Sequence, residues 1–398
     1  MATASRQYDL VLLGATGYTG NLTAEHITKH LPEDLKWAIS GRNISKLQAL
    51  ISNLQVLHPD HQPPSIEVTD LSQASIDALV RKTKILPTTV GPYHRYGTPI
   101  IEACAHAGTH YLDSTGETPW VYDVAHKYHD LVRSNGAIMI PQCAEESAPA
   151  DLVAFLRSSF LREKTGHATK EFIHSIQEFN NGFSAGTLHS LITVASSYSF
   201  QHLRKSLHPY ALCVGRSPSS SPFIPKGFTW LGSIKVKEVG LLTDSVIGIS
   251  DTTVVYRSWS LMDDYGPRFK YWTGMKARNR VTGFLWHWVL AISLPVLLIT
   301  PLRSQTKSST TWKSVAYSDS KPSHTAECSM SFERDMYSLT AILLAEAAMV
   351  ILRPDRENWA MKLGGGVLTP ATLGHQFVER VISAGMKMEI NLVDKAPE

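Results

Sequence analysis

The chain has 398 residues, 43% of them hydrophobic and 18% charged, a composition that excludes a disordered protein and predicts two or three folded domains. A net charge of +3 is too small to indicate nucleic-acid binding. The four cysteines form no C-x-x-C pair and His126 and His129 lack a third ligand nearby, so we predict neither a metal site nor a disulfide framework. Since no secretory signal is visible, we expect an intracellular, cytoplasmic protein.

Strands and helices alternate over the first 115 residues. Apolar runs predict strands at 8–13, 36–40, 65–70, 84–90 and 109–115. Helical spacing predicts intervening helices at 18–29, 43–57, 73–82 and 98–107. This alternation predicts an α/β fold with a Rossmann-type, doubly wound parallel sheet. Beyond residue 150 the pattern changes to short, mixed strands and loops, and two more helices are predicted in the tail.

One apolar segment, 281–302, carries no charge and is long enough to cross a bilayer, which needs about 20 residues. Its tryptophans and the flanking arginines suit a membrane interface. Pro295 and Pro301, with His287 and Ser293, argue against a straight span. Three interpretations stay open: a helix lying in one face of a membrane, a buried wall of a dimer or substrate site, and a true span.

The stretch "YDLVLLGATGYTG" places a glycine-rich turn between a strand and a helix. Backbone N–H groups and the helix dipole converge at such a turn, and glycine lets a pyrophosphate come close. We therefore predict that the cofactor's phosphates are bound by the turn residues Gly14, Thr16, Gly17, Tyr18, Thr19 and Gly20. A glycine turn kept only for tight packing is the alternative.

The end of the second strand reads "SGRN", from Ser40 through Gly41 and Arg42. NAD sites usually place an acid here, whereas an arginine can pair with the 2′-phosphate of NADP. The absence of an acid predicts NADPH as the cofactor, although Arg42 could also be a solvated helix-start residue. Asp70, after the third strand, could bind the adenine amino group, or could equally be a helix cap or turn residue.

The fourth strand ends in "TTVGPYHRYG". Ligands of doubly wound sheets bind at the carboxyl ends of the strands. We therefore expect Thr89, Gly91, Pro92 and Tyr93 to lie beside the nicotinamide half of the cofactor.

Five segments together resemble the saccharopine dehydrogenase-like oxidoreductases, a family that includes trans-acting enoyl reductases. They are "GATGYTG", "SGRNISKL", "VGPYHRYGTPIIEAC", "GTHYLDSTGE" and "GGGVLTPATLG". The resemblance implies a Rossmann domain at 1–150, an inserted α+β substrate or dimerisation domain at 151–330 and C-terminal helices, 331–398, that rejoin the first domain. It also implies membrane or lipid-droplet association through 281–302.

Two motifs depart from the family's pattern. The usual C-G-F-D-S-x-P-x-D is "CAEESAPAD" here, so that Glu145 and Glu146 replace Phe and Asp. The usual G-D-P-G-Y is replaced by "ERDMYSLT" at 333–340. These departures put substrate choice and the domain junction in doubt.

The resemblance favours NADPH-dependent reduction of a C=C bond conjugated to a carbonyl, on an apolar acyl, polyketide or other natural product of secondary metabolism. Tyr93, then Tyr18, is the predicted catalytic donor to the enolate oxygen, with packing or stacking as the alternative for both. Glu117, Glu145 and Glu146 could act as acids, or could be capping or surface residues. The other readings are a saccharopine-type C=N reductase and a non-catalytic NADP-binding membrane protein. A homodimer is a further expectation.

Overall fold

The computed structural model describes residues 6–181, 190, 193–194, 196–216, 222–225, 228–292 and 308–393. The chain folds into two compact units. The first contains Met1–Ala148 and Tyr337–Val381, and the second contains Pro149–Met336 and Ile382–Glu398.

The first unit is built on a seven-stranded parallel sheet. In chain order its strands are β1 (Tyr8–Leu13), β2 (Trp37–Gly41), β3 (Ser65–Val68), β4 (Thr83–Thr88), β5 (His110–Asp113), β6 (Ile138–Ile140) and β13 (Gly366–Val367). Their spatial order is β13-β6-β5-β4-β1-β2-β3, so the order reverses between β1 and β4. That reversal is the switch point at which such sheets bind ligands. The predicted Rossmann-type fold is confirmed.

Helices connect these strands, the first four close to the predicted positions and the fifth without a prediction. They are α1 (Tyr18–His30), α2 (Ile44–Leu57), α3 (Gln73–Lys82), α4 (Tyr93–Ala107) and α5 (Thr118–Ser134). Among the predicted helices the largest difference is in α4, which begins at Tyr93 and not near 98. Pro99 lies inside this helix.

Three tail helices belong mainly to the first unit: α11 (Met336–Leu352), α12 (Trp359–Lys362) and α13 (Gly374–Ser383). α11 is buried over most of its length, and its single acid, Glu346, is 4% exposed. Glu346 Oε1 lies 2.7 Å from His26 Nε2 of α1, and Oε2 accepts a 2.6 Å hydrogen bond from Arg380 Nε of α13. These contacts of Glu346 join α11 to both α1 and α13.

The second unit has a mixed sheet of order β14-β12-β11-β7-β10-β9-β8. Its strands are β7 (Thr169–Asn180), β8 (Ile234–Val236), β9 (Gly240–Thr243), β10 (Lys270–Lys276), β11 (Ser309–Ser318), β12 (Thr325–Phe332) and β14 (Lys387–Val393). Its helices are α6 (Ala148–Thr165), α7 (Phe200–Ser206), α8 (Phe228–Leu231), α9 (Gly248–Leu261) and α10 (Arg280–Ile292). The central β7 pairs parallel with β10 and antiparallel with β11.

The last strand, β14, pairs antiparallel with β12 and so belongs to the second sheet. The segment 331–398, predicted to rejoin the Rossmann domain, is thus divided between the two units. Alternate residues of β14 are exposed, the period-2 pattern of an edge strand.

The apolar segment 281–302 is only partly described. Its first twelve residues lie in α10, and 293–302 lie outside the described residues. In the part of the chain that the structure describes, no helix combines the length and the apolar character needed to cross a bilayer.

Candidate active site

The three glycines of the turn between β1 and α1 have different surroundings. Gly14 has φ +86°, a conformation that favours glycine, and a Cβ on Gly20 would come within 2.8 Å of the Ala15 Cα. A Cβ on Gly17 would meet only the Gly14 carbonyl oxygen, at 3.4 Å. Gly14 and Gly20 therefore permit the tight turn, and Gly17 keeps open space in front of it.

That open space lies at the N-terminus of α1. Gly17 is the N-cap and offers no capping side chain, and the first turn holds no acidic residue. The first N–H groups of a helix have no acceptor within it, and the helix dipole makes this end positive. A pyrophosphate fits this place, since Gly17 carries no side chain that would fill the space in front of the helix.

The end of β2 lies directly beside the turn. The backbone N–H of Gly14 donates to the Ser40 carbonyl oxygen over 2.9 Å, and the Thr16 side chain borders Gly41. The Ser40 hydroxyl is buried and has no hydrogen-bond partner among the described residues. Arg42 is exposed and pairs with no acid among the described residues. An unpaired guanidinium beside the turn fits a 2′-phosphate.

Sequence reasoning missed Lys46, an exposed cation in the first turn of α2. Its backbone N–H donates to the Asn43 side chain, which caps the helix. A basic residue four positions after Arg42 was the available signal. It places a second positive charge at the same helix end.

Asp70 lies in a turn before α3. Its Oδ1 accepts hydrogen bonds from Ser72 N at 2.9 Å and Ser75 Oγ at 2.7 Å. These hydrogen bonds lower the pKa of Asp70 to about 2. The geometry matches the turn interpretation, and adenine binding stays a prediction.

The end of β4 is tied to the same turn. Thr89 donates its backbone N–H to the Leu13 carbonyl oxygen over 3.0 Å and its hydroxyl to the Gly14 carbonyl oxygen over 3.1 Å. The exposed Gly91 is followed by Pro92, which caps α4. The structure thus brings the predicted residues of β1, β2 and β4 to one edge of the sheet.

The two candidate tyrosines differ sharply. Tyr18 is 60% exposed at the start of α1, and its ring packs in a T-shaped arrangement with the Tyr337 ring, with the two centroids 5.2 Å apart. Tyr93 is 6% exposed, and its hydroxyl donates to the Thr88 carbonyl oxygen over 3.1 Å and lies 2.9 Å from Ser114 Oγ. Burial raises the pKa of Tyr93 far above its usual range. The Tyr93 hydroxyl thus stabilises the loop after β4 by hydrogen bonds within the protein. Its catalytic role stays a prediction.

Glu117, at the end of the "DSTGE" stretch, caps the N-terminus of α4, although it lies 24 residues beyond Tyr93 along the chain. Its carboxylate accepts the backbone N–H groups of Tyr93, at 2.8 Å, and His94, at 2.7 Å. His94 Nδ1 also lies 2.7 Å from this carboxylate. This contact explains why α4 begins at Tyr93, and sequence spacing gave no sign of it.

Asp113, in the same stretch, joins the ends of β5 and β6. It accepts hydrogen bonds from the Tyr111 hydroxyl and from the backbone N–H groups of Thr115 and Gln142. Burial raises the pKa of Asp113 to about 7.

Two further acids follow β6. Glu145 is 3% exposed, and its backbone N–H donates to the Thr340 hydroxyl. Glu146 is half-buried, and a Cβ built on Gly116 would lie 2.5 Å from Glu146 Oε1 and 2.6 Å from its Cδ. The Glu146 carboxyl is thus pressed against the chain just beyond β5.

Comparison with known proteins places this site in a family. A family model described as the NADP-binding domain of saccharopine dehydrogenase matches residues 10–140. A Mycobacterium tuberculosis protein, provisionally named a trans-acting enoyl reductase, is 32% identical over 288 residues, covering 71% of this chain and 68% of the relative. The chain belongs to the saccharopine dehydrogenase-like family that includes the trans-acting enoyl reductases.

A second relative aligns almost end to end. The trans-acting enoyl reductase of M. tuberculosis strain H37Rv is 29% identical over 422 residues, covering 98% of this chain and 99% of the relative. The L-Glu-forming saccharopine dehydrogenase of Saccharomyces cerevisiae has the same fold, with a TM-score of 0.56 at 9% identity over 97% of this chain and 100% of that one.

This member of the family is therefore an NADPH-dependent oxidoreductase. The residues that fit the cofactor are those already placed at the sheet edge: Gly17 and the first turn of α1 for the pyrophosphate, and Arg42 for the 2′-phosphate. Individual contacts to the cofactor stay predictions.

Proposed function

We propose that this protein reduces a C=C bond conjugated to a carbonyl, on an apolar acyl or polyketide-like substrate. The observation that carries the proposal is the end-to-end similarity to a trans-acting enoyl reductase, which includes both units and not only the cofactor domain. Bound NADPH would supply the hydride.

The chain's own residues would then bind and orient. The glycine turn binds the pyrophosphate and Arg42 binds the 2′-phosphate, while Glu117 and Tyr93 fix the loop after β4. The exposed Tyr18 stands at the phosphate turn, and its hydroxyl could stabilise an enolate oxygen.

The test is isotope transfer. Purified protein is mixed with NADPH deuterated at nicotinamide C4 and a 2-enoyl thioester, and we expect one deuterium at the β carbon for each NADPH oxidised. A Gly17→Val variant is the control, since it keeps the active-site acids but blocks the phosphate space. Oxidation of NADPH with an amino acid plus a keto acid would instead indicate C=N reduction. If the protein binds NADPH but catalyses neither the enoyl reduction nor the reaction of the amino acid with the keto acid, the non-catalytic interpretation is supported.

We also propose that α10 binds an anionic lipid surface. Its apolar residues recur at helical spacing and are exposed by 39–67%: Val281, Phe284, Leu285, Trp288 and Val289. The opposite side is held by the protein, since Trp286 donates to the Asp244 carbonyl oxygen and His287 pairs with the Asp244 carboxylate. Exposed Lys276, Arg278 and Arg280 precede the stripe. Apolar and basic groups together match a membrane interface.

Flotation with vesicles containing anionic lipid tests this proposal. Phe284→Asp with Leu285→Asp should abolish binding, and added salt should weaken binding of the unaltered protein. The matched control is Val56→Asp with Leu57→Asp, because these exposed apolar residues lie on α2 of the other unit. Equal flotation of both double variants would contradict the proposal.

A further inference from the structure

The inference concerns Glu146, which lies in the loop between β6 and α6. Its carboxyl is packed against Gly116, just beyond the end of β5. This half of a doubly wound sheet faces the second mononucleotide of the cofactor, which for NADPH is the reacting nicotinamide. Glu146 is therefore placed on the reacting side of the site, whereas Arg42 and the glycine turn serve the phosphates.

Glu146 differs from its acidic neighbour in its partners. Glu117 accepts three hydrogen bonds from Tyr93 and His94, so its negative charge is well stabilised. Glu146 makes no hydrogen bond or ion pair with any described residue. The Glu117 carboxylate is thus used by hydrogen bonds within the protein, whereas the Glu146 carboxyl is available to a ligand.

The surroundings of Glu146 favour its protonated form. The charged group that acts on it is Glu117, behind which lie His94 of α4 and Asp113 of β5. Burial, and then the negative charge of Glu117, raise the pKa of Glu146 to about 7. A carboxyl group of this kind can still carry a proton at neutral pH.

The alternative donors are less suitable. The Tyr93 hydroxyl is buried and donates its hydrogen bond to the Thr88 carbonyl oxygen. Glu145 is 3% exposed and lies inside the unit.

We propose, resting on the enoyl reduction proposed above, that Glu146 is the catalytic acid that protonates the α carbon. Bound NADPH would supply the hydride: its C4–H bond would break, a C–H bond would form at the β carbon, and the cofactor would leave as NADP⁺. The electron pair of the C=C bond moves to the enolate. The O–H bond of Glu146 then breaks, a C–H bond forms at the α carbon, and the carboxylate regains its proton from water.

The first test needs no substrate. Carboxyl ¹³C NMR of the cofactor-free full chain, labelled at glutamate, should show one carboxyl that titrates near pH 7. That signal should be lost in Glu146→Gln and kept in Glu102→Gln, the control, whose surface carboxylate pairs with Lys127. If no glutamate of the unaltered protein titrates near pH 7, the proposal is overturned, whatever the turnover.

The second test uses kinetics. Glu146→Gln should lower kcat for the enoyl substrate by about 100-fold or more, the usual share of a general acid, without changing NADPH affinity. In the unaltered protein kcat should fall as pH rises through about 7, and the variant should lose this step. Glu146→Asp keeps a carboxyl group at this position and should recover part of kcat. This second variant keeps the test decisive if Glu146→Gln folds poorly.

The outcomes separate the two proposals. If the unaltered protein shows the NMR titration but reduces no enoyl substrate, the proposed function is contradicted, whereas Glu146 is still a group that titrates near pH 7. Glu146→Gln that turns over enoyl substrate at the full rate contradicts the role of Glu146 and leaves the proposed function standing.

Discussion

The cofactor edge of the first unit has two halves of different construction. At the ends of β1 and β2, Gly17 and Arg42 face open space. No contact with a described residue requires a glycine at 17 or an arginine at 42. At the ends of β4 and β5, Tyr93, Glu117 and Asp113 are explained by hydrogen bonds within the protein. Both halves carry family motifs, so a motif residue can serve a ligand or can hold the loop that meets the ligand.

The largest expected effect belongs to the internally bonded half. Glu117→Ala would leave the N–H groups of Tyr93 and His94 buried without their acceptor, and we expect a loss of about 3–5 kcal/mol in the free energy of unfolding. Urea denaturation measures it, with Glu102→Ala as the control. A near-neutral Glu117→Ala would show that this half, too, is built for the ligand.

Gly20→Ala should be the next largest. Its Cβ would press on the backbone at Ala15, which cannot give way, so we expect a loss of about 1–3 kcal/mol of stability. Thermal unfolding measures this, and an unchanged midpoint would contradict the packing role assigned to Gly20.

Gly17→Ala sharpens the comparison because it changes the same turn by the same methyl group. That methyl has room in the protein, so stability should hold while NADPH affinity falls by about 10–100-fold, equivalent to one lost charge-assisted hydrogen bond. Cofactor titration by fluorescence measures the affinity. Loss of stability with affinity kept would reverse the roles of Gly17 and Gly20.

The smallest of these effects is expected for Arg42→Ala. The exposed guanidinium should contribute about tenfold to NADPH affinity and nothing to NADH affinity. Equal losses for the two cofactors would argue against 2′-phosphate recognition. Arg81→Ala, at an exposed arginine of α3, is the matched control.

The sequence was informative wherever the signal was local. Five of the seven strands of the first unit were predicted from apolar runs such as Leu10–Leu13, which are buried, whereas the short β6 and β13 were not predicted. The glycine turn was predicted because its spacing is set by one strand–helix junction. The start of α4 was misplaced because its cap, Glu117, lies 24 residues from Tyr93 along the chain. The burial of Tyr93 could not be seen for the same reason, since its partner Ser114 follows a different strand.

The route of the chain through its two units has a consequence for engineering. The chain passes from one unit to the other after Ala148, after Met336 and after Val381, so neither unit is one continuous piece. A fragment that stops at residue 150 would lack Glu346, the partner of His26, and β13, the edge strand of the sheet. An isolated cofactor domain would have to be made by splicing residue 148 to residue 337 through a new linker and ending the chain near residue 381.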